Sequence, residues 1–367
     1  LLRRVGALGL SLAKRLSQGL SEALDVAKQE RERFARQKTR ERRRGYQRRI
    51  EQYLGVSTDK KGLRKKPKIS VIAWDVGHNP MGRAYLLADM FCNRSYDAEL
   101  IGPQFPRYGK EVWPPLKNMH IPLQRFPGRM FPEHWADLER MASAVDGDVI
   151  YVAKPRIPSL MLGILAKMQR NRPLVLDVDD YELAFFKQRA PLTLKEIKAA
   201  SRDKDFLCPH DNLWTRYAET LIPLADHITV SNAELQRKFG GTILPHVRNG
   251  QHFNPELYDR DAIRASLGFS PEDRVILFIG TPRMHQGFFE IIEALEALGN
   301  PRYKLCIIGS VVDPEVRRRL DKVDKSCVHC FPDAPFEELP RNLCAGDLIC
   351  ILQDPERAVS AYQMPAK

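Results

Sequence analysis

Val275-Ile-Leu-Phe-Ile-Gly280-Thr-Pro-Arg283-Met-His285-Gln286-Gly287-Phe-Phe-Glu-Ile-Ile-Glu-Ala-Leu295 decides how the chain folds. An unbroken apolar run reads as a strand buried on both faces. A glycine opens the loop after it, a second glycine closes that loop, and an amphipathic helix follows. This is one strand–loop–helix step of a parallel sheet, with an arginine in the loop where a ligand would meet the end of the strand. Arg283 can fork onto a diphosphate, and the loop keeps backbone donors beside it. A helix start and an arginine together neutralise charge developing on a departing nucleoside diphosphate without a metal.

Working outward, the same alternation recurs. Short apolar runs at 69–74, 98–101, 148–153, 174–178, 227–230 and 242–244 alternate with helical stretches such as 82–91, 158–169 and 232–239. Residues 251–260 are irregular, and a second series follows, with strands at 274–279, 303–308, 327–331 and 347–352 and helices near 288–298, 314–323 and 335–345. The pattern predicts an α/β protein of two Rossmann-like units in tandem, 67–250 and 251–367. The second is expected to be incomplete, because four strands fall short of a full unit.

Charge separates a third part. Of 58 Lys/Arg and 46 Asp/Glu, residues 1–68 hold 21 and 7, leaving 37 and 39 for everything else. The folded body is therefore nearly neutral, which argues against a nucleic-acid groove on it. Residues 1–66 form a basic arm. Its charged stretch, 29–52, reads as a solvated helix. Val5, Leu8, Leu12, Leu16, Leu20 and Leu24 recur at helical spacing, so residues 3–27 read as an amphipathic helix. Its apolar side either packs on a helical partner or the body, or lies on an anionic membrane surface. No apolar run reaches the roughly 18 residues of a membrane span. Seven scattered cysteines, several within apolar runs, suit a reducing cytoplasm, with attachment at the inner membrane face as the variant the arm allows. Cys327 and Cys330 have half the spacing of a zinc site and no second pair, so no metal is expected.

Two further loops carry candidate chemistry. After the first strand comes Asp75-Val-Gly-His-Asn-Pro-Met-Gly82-Arg83, running into a helix. After the fifth comes Asp177-Val-Asp179-Asp180, three carboxylates that are costly to crowd without a task or a partner. A capped turn, with Asp180 bonded to backbone, is the plainer alternative, and metal binding is a third, without evident partner carboxylates.

Taken in order, these pieces resemble the retaining glycosyltransferases of the GT-B fold, family 4 in particular, from about residue 69 to 367. The carriers are Gly82-Arg83, the Leu-Asp-Val-Asp-Asp180 strand, Ala225-Asp-His-Ile-Thr-Val-Ser231-Asn232, and Ile243-Leu-Pro-His-Val-Arg-Asn249-Gly250-Gln-His-Phe253. Then come Gly280-Thr-Pro-Arg283-Met-His-Gln286-Gly287, Ile308-Gly309-Ser310 and Ala345-Gly-Asp347-Leu.

The resemblance implies two facing Rossmann-like domains, a nucleoside-diphosphate sugar as donor, a glycan, lipid-linked or cell-envelope acceptor, transfer with retention, and no cofactor. It places the donor against Gly280, Arg283, His285, Gln286, Gly287, Phe331, Ser360, Tyr362, Gln363 and Lys367. Gly82, Arg83, Asp179 and Asn249 would lie toward the acceptor and reacting centre, with Arg283 and Asp180 as candidate catalytic groups. Gln286 stands where the family has a lysine. Weakened catalysis, compensation by His285 and a degenerate domain are all open readings of that lost charge. Segment 360–367 resembles the donor-sugar loop, and the carboxylate-bearing helix that follows it in the family is absent. The chain as it stands is therefore expected to be inactive. A non-catalytic GT-B scaffold and a GT-B sugar-nucleotide epimerase are the alternatives.

Overall fold

The computed structural model describes residues 66–200 and 204–352, with 354, 356 and 359–364. The basic arm lies outside the described residues except for Lys66. Parallel strands, most of them buried, build a seven-stranded sheet: β1 (Lys68–Ile72), β2 (Asp97–Gln104), β3 (Leu123–Pro127), β4 (Val149–Ala153), β5 (Leu174–Val178), β6 (His227–Val230) and β7 (Thr242–Ile243). Its order is β3-β2-β1-β4-β5-β6-β7, with every pair parallel. The helices between them are α1 (Pro80–Asn93), α2 (Glu133–Ala144), α3 (Leu162–Arg170), α4 (Leu194–Ala199), α5 (Asn212–Leu221) and α6 (Ala233–Phe239).

β3 escapes the sequence reading for a physical reason. β3 is an edge strand, half-buried at most, and reads Leu-Gln-Arg-Phe-Pro without a continuous apolar run.

A second parallel sheet, ordered β10-β9-β8-β11, is made from β8 (Arg274–Ile279), β9 (Tyr303–Ile308), β10 (Val328–Phe331) and β11 (Leu348–Ile349). Its helices are α7 (Arg260–Ser266), α8 (Phe288–Leu298), α9 (Pro314–Leu320) and α10 (Leu339–Leu343). Phe278, Phe288, Ile292, Leu305 and Ile307 pack on one face, and Phe269, Val275, Leu277 and Cys306 on the other. β11 is shorter than its apolar run suggests: only Leu348 and Ile349 pair, opposite Ile276 and Leu277. The Ala345-Gly-Asp347 signature is structural. The Asp347 carboxylate accepts Val275 N–H at 2.7 Å and is clasped by Arg260 and Arg264, which fixes the start of β8. Cys327 and Cys330 lie at β10 as free thiols. No helix among the described residues is long and apolar enough to cross a membrane.

In both sheets the chain reverses its direction of winding beside the first strand, between β1 and β4 and between β8 and β11. The carboxyl ends of those strands form the crevice where an open α/β sheet receives ligands.

Helix α3 sits on that sheet at Gly163, where an added Cβ would come 2.3 Å from Val152 Cγ2 and 3.0 Å from Leu174 Cδ1. Gly163→Ala should therefore force the helix off β4 and lower the unfolding free energy by about 1–3 kcal/mol in urea titration. A change under about 0.5 kcal/mol would mean that α3 shifts freely.

Candidate active site

At the first sheet, the three carboxylates and Arg83 assemble into one buried charge network. Arg83, on the first turn of α1, sends a two-pronged ion pair to Asp177 at the end of β5, with Nε–Oδ2 and Nη2–Oδ1 both 2.8 Å. Thr229 donates to the same Asp177 Oδ1 at 2.7 Å, and Tyr151 Oη lies 2.8 Å from Thr229 Oγ1. The rest of the guanidinium donates to the carbonyls of Leu244 at 2.8 Å and Pro245 at 3.1 Å. Burial works against the charge on Arg83, but the hydrogen bonds and charge of Asp177 more than offset it. Arg83 is thus spent inside the protein.

Asp179, Asp180 and Glu182 surround a single ammonium. Lys154 Nζ is 2.8 Å from Asp179, 2.7 Å from Asp180 and 3.1 Å from Glu182. Asp180 therefore meets a side-chain cation, not the backbone cap that was the plainer alternative. The three carboxylates lie within 4.8 Å of one another, a spacing suited to a cation, and the chain supplies that cation itself. Lys154 follows β4 with φ +70°, a left-handed conformation that is strained for lysine. Its N–H bonds Asp177 O at 2.9 Å and its carbonyl accepts from Ser159 Oγ at 2.7 Å, which holds it there. Glu182 takes a second cation, Arg156, whose guanidinium also lies 5.3 Å from the ring centre of Trp74.

Four carboxylates share three cations here, and their proton affinities part accordingly. Burial would raise Asp179 and Glu182; Lys154 and Arg83 hold the first below the usual carboxylate range, and Arg156 and Lys154 the second. Asp180 goes the other way. Burial, with Asp179 and Glu182 alongside, outweighs Lys154 and pushes it up to about 6.

At the second sheet, Gly280 has φ +116° and the backbones after β8 and β9 nearly touch, so a Cβ on Gly309 would meet Gly280 O at 2.3 Å. Gly287 has φ +68° and faces Leu352, 2.2 Å from where its own Cβ would be. Only glycine fits either place. Arg283 is exposed and has no ion-pair partner among the described residues. Gln286 Oε1 accepts Arg283 N–H at 3.0 Å, so the position that resembles a charged one is used to close the turn. Helix α8 begins beyond Gly287 with no side-chain cap, leaving its first N–H groups for an anion. At the ends of β9 and β10, Asp333 accepts Ser310 N–H at 2.8 Å and Ser310 Oγ–H at 2.5 Å, next to Phe331.

No protein-family model and no curated protein sequence matches the chain. Its similarity lies in solved structures. One is HepE from Anabaena in complex with UDP and glucose, 17% identical over 79% of this chain and 76% of that one, with a TM-score of 0.55. Another is a glycosyltransferase from Rickettsia africae, 12% identical over 79% and 74%, with a TM-score of 0.53. The catalytic domain of starch synthase IV from Arabidopsis thaliana, bound to ADP and acarbose, is 13% identical over 79% and 78%, with a TM-score of 0.51. This is the GT-B fold. At such identities the likeness establishes the fold and leaves the chemistry to the residues.

Within the GT-B frame the remaining candidates separate. Gly82 stays at the start of α1, against the Trp113 ring, beside Arg83. Asn249 does not join them. Its amide bonds Asn93 Oδ1 at 3.0 Å, at the opposite end of α1 and roughly 15 Å from Arg83 by helical rise. Ser360, Tyr362 and Gln363 belong to a single turn whose Tyr362 carbonyl accepts from Asn232 Nδ2 at 2.9 Å, so this loop of the second half meets the first. A second meeting point is Phe336 against Tyr85 of α1, with ring centres 5.2 Å apart. The His285 side chain and Lys367 lie outside the described residues. Sequence reasoning misses Lys154, Arg156 and Glu182. The only signal for them is a Lys-Pro-Arg run directly after an apolar strand, which reads as a plain turn.

Asp180 gives a pH test. Its carboxyl titrates at about 6 in the fold, against an ordinary aspartate value of about 3.9, so the folded chain binds that proton more tightly than the unfolded one. The stability it contributes is fully present below about pH 4 and is lost as pH rises through about 6. Asp180→Asn should match the wild type near pH 4 and exceed it by about 1–3 kcal/mol at pH 8 in urea titrations. A difference independent of pH would show that Asp180 is ionised throughout.

Proposed function

We propose that the chain is a glycosyltransferase of family 4 type that moves a sugar from a nucleoside-diphosphate donor to an acceptor hydroxyl with retention. The observation that carries this reading is the loop 280–287. Two glycines bring backbone within reach of a ligand, an uncapped helix start lies behind them, and Arg283 is unpaired among the described residues. All three stabilise negative charge, and a departing nucleoside diphosphate is what builds up negative charge in such a transfer. HepE and starch synthase IV, which share the fold, were solved with UDP and ADP. On this reading residues 251–367 hold the donor and residues 67–250 the acceptor, a glycan or a lipid-linked group. No metal or other cofactor is called for, because Arg283 and the helix start meet the leaving charge.

Arg83 and Asp179 then shape the acceptor side as parts of the charge network, and Asp180 stands beside them. Gln286 favours a second reading, a GT-B protein that binds nucleotide and turns it over poorly, since the turn-closing amide carries no charge toward the diphosphate.

Calorimetric titration of the full chain with UDP and ADP tests the donor reading. Binding is expected, and Arg283→Ala should weaken it by about 1–3 kcal/mol, the value of a charge-assisted contact. Absence of binding to either nucleotide by the wild type sinks the reading. The arm, residues 1–66, is proposed to rest on an anionic membrane face. Deleting it should release the protein from vesicles containing phosphatidylserine, and unchanged sedimentation with them would refute the placement.

A further inference from the structure

Asn232 sits at the junction of β6 and α6 and uses its side chain in two directions. Its Oδ1 accepts Leu235 N–H at 3.0 Å and so caps α6. Its Nδ2 donates to the Tyr362 carbonyl at 2.9 Å, across 130 positions of sequence. Capping needs only the acceptor. The amide donor is therefore surplus to the cap, and it is aimed at a loop of the second sheet's half.

A second contact holds the same loop. The Tyr181 ring, directly after Asp180, meets the Tyr362 ring edge-on with centres 5.1 Å apart, and Lys238 Nζ lies 4.1 Å from the Tyr181 ring centre. Ser231, the residue before Asn232, is buried and donates from Oγ to the Asp179 carbonyl at 2.7 Å. Asn232 Nδ2 in turn approaches Ser231 Oγ at 3.3 Å. A continuous set of contacts thus runs from the Lys154 charge network, through Asp179, Ser231 and Asn232, to Tyr362. The loop also encloses the Ser360 hydroxyl, which has no hydrogen-bond partner among the described residues.

We infer that Asn232 is a positioning residue: together with Tyr181 it holds the 360–363 loop against the first sheet's half and thereby sets donor affinity from the acceptor side. The affinity part rests on the donor reading of this loop under the proposed function; the tether itself does not. A loop held by one backbone carbonyl and one ring loses ordering entropy before the donor arrives, so the donor need not supply it.

The two roles of Asn232 come apart by substitution. Asn232→Asp keeps an oxygen to cap α6, loses the N–H donor, and sets a carboxylate against the Tyr362 carbonyl. Asn232→Ala loses both functions. In the full-length chain, hydrogen exchange at the amides of 361–364 should speed up in Asn232→Asp, while exchange within α6 and the melting midpoint stay as in the wild type. Exchange in α6 should rise only in Asn232→Ala. Calorimetry with UDP-glucose and UDP should show the Asp variant roughly three- to tenfold weaker for at least the sugar nucleotide, the range one neutral hydrogen bond supports. Tyr181→Ala should shift loop exchange and affinity in the same direction.

Unchanged loop exchange in Asn232→Asp overturns the tether. Faster loop exchange with unaltered affinity overturns its link to the donor. If the wild type binds neither nucleotide, the donor reading falls, and the exchange measurement still decides whether Asn232 holds the loop.

Discussion

The pair Arg83–Asp177 is the constraint on which the rest of the first half depends. It joins the first turn of α1 to the end of β5, and through Thr229 and Tyr151 it reaches β6 and β4. The same guanidinium takes the carbonyls of Leu244 and Pro245, where the chain leaves the first sheet for the second. A buried charge pair of this kind stabilises little in itself, because desolvation consumes most of the attraction. Removing one partner is another matter, costing about 3–5 kcal/mol by stranding the other charge. The network therefore acts as a specification. Only one placement of α1, β5 and the outgoing chain satisfies all the donors and acceptors at once, and that placement puts the loop after β1 beside the loop after β5.

Most of the fold is legible in the sequence because strands buried on both faces must be apolar throughout. Ile69, Val71 and Ile72, or Leu305, Ile307 and Ile308, leave no other period to choose. Strand β3 is not legible, since an edge strand owes nothing to burial and Gln124 and Arg125 look like loop. The candidate site is legible only where chemistry is written in backbone geometry. Gly280 and Gly287 announce themselves because their left-handed backbone favours glycine, and Leu352 leaves Gly287 no room for a Cβ. Asp177, Asp179 and Asp180 are visible as a crowd, but the partners that decide their states are not. Lys154 is 23 positions before Asp177 and Arg83 is 94, and nothing local ties either to the carboxylates. Asn249 shows the reverse failure. Its motif is continuous with the chain segment that contacts Arg83, yet the segment runs along α1 and delivers Asn249 to the far end.

The distribution of charge sets the two halves apart. Every cation the first sheet presents at the ends of β4 and β5 is already paired inside the protein, to four carboxylates. That half offers a shaped and nearly neutral wall. The loop after β8 offers the opposite: an exposed Arg283 without an ion-pair partner among the described residues, and an open helix start. On the proposed donor reading, an anionic ligand is drawn to the second surface rather than the first.

Gln286 makes sense in that division. A turn as tight as 283–287 must satisfy the Arg283 N–H, and the glutamine carbonyl does so while leaving the guanidinium to point outward. A lysine in its place would add a charge near the diphosphate but offers no acceptor, so the N–H would need another partner and the turn would lose its closing bond. Against the lysine of the family it resembles, Gln286 gives the loop its closing bond and one unit less of positive charge. Shape governs how well backbone donors converge on an oxygen, and these donors need no counterion and cost no reorganisation. On the proposed donor reading, orientation of a diphosphate falls to the backbone and Arg283 together, and loop 360–363 contributes through whatever holds it in place. The Asn232 amide meets that loop from the opposite half, and under the inferred tether donor geometry becomes a property of the two halves jointly.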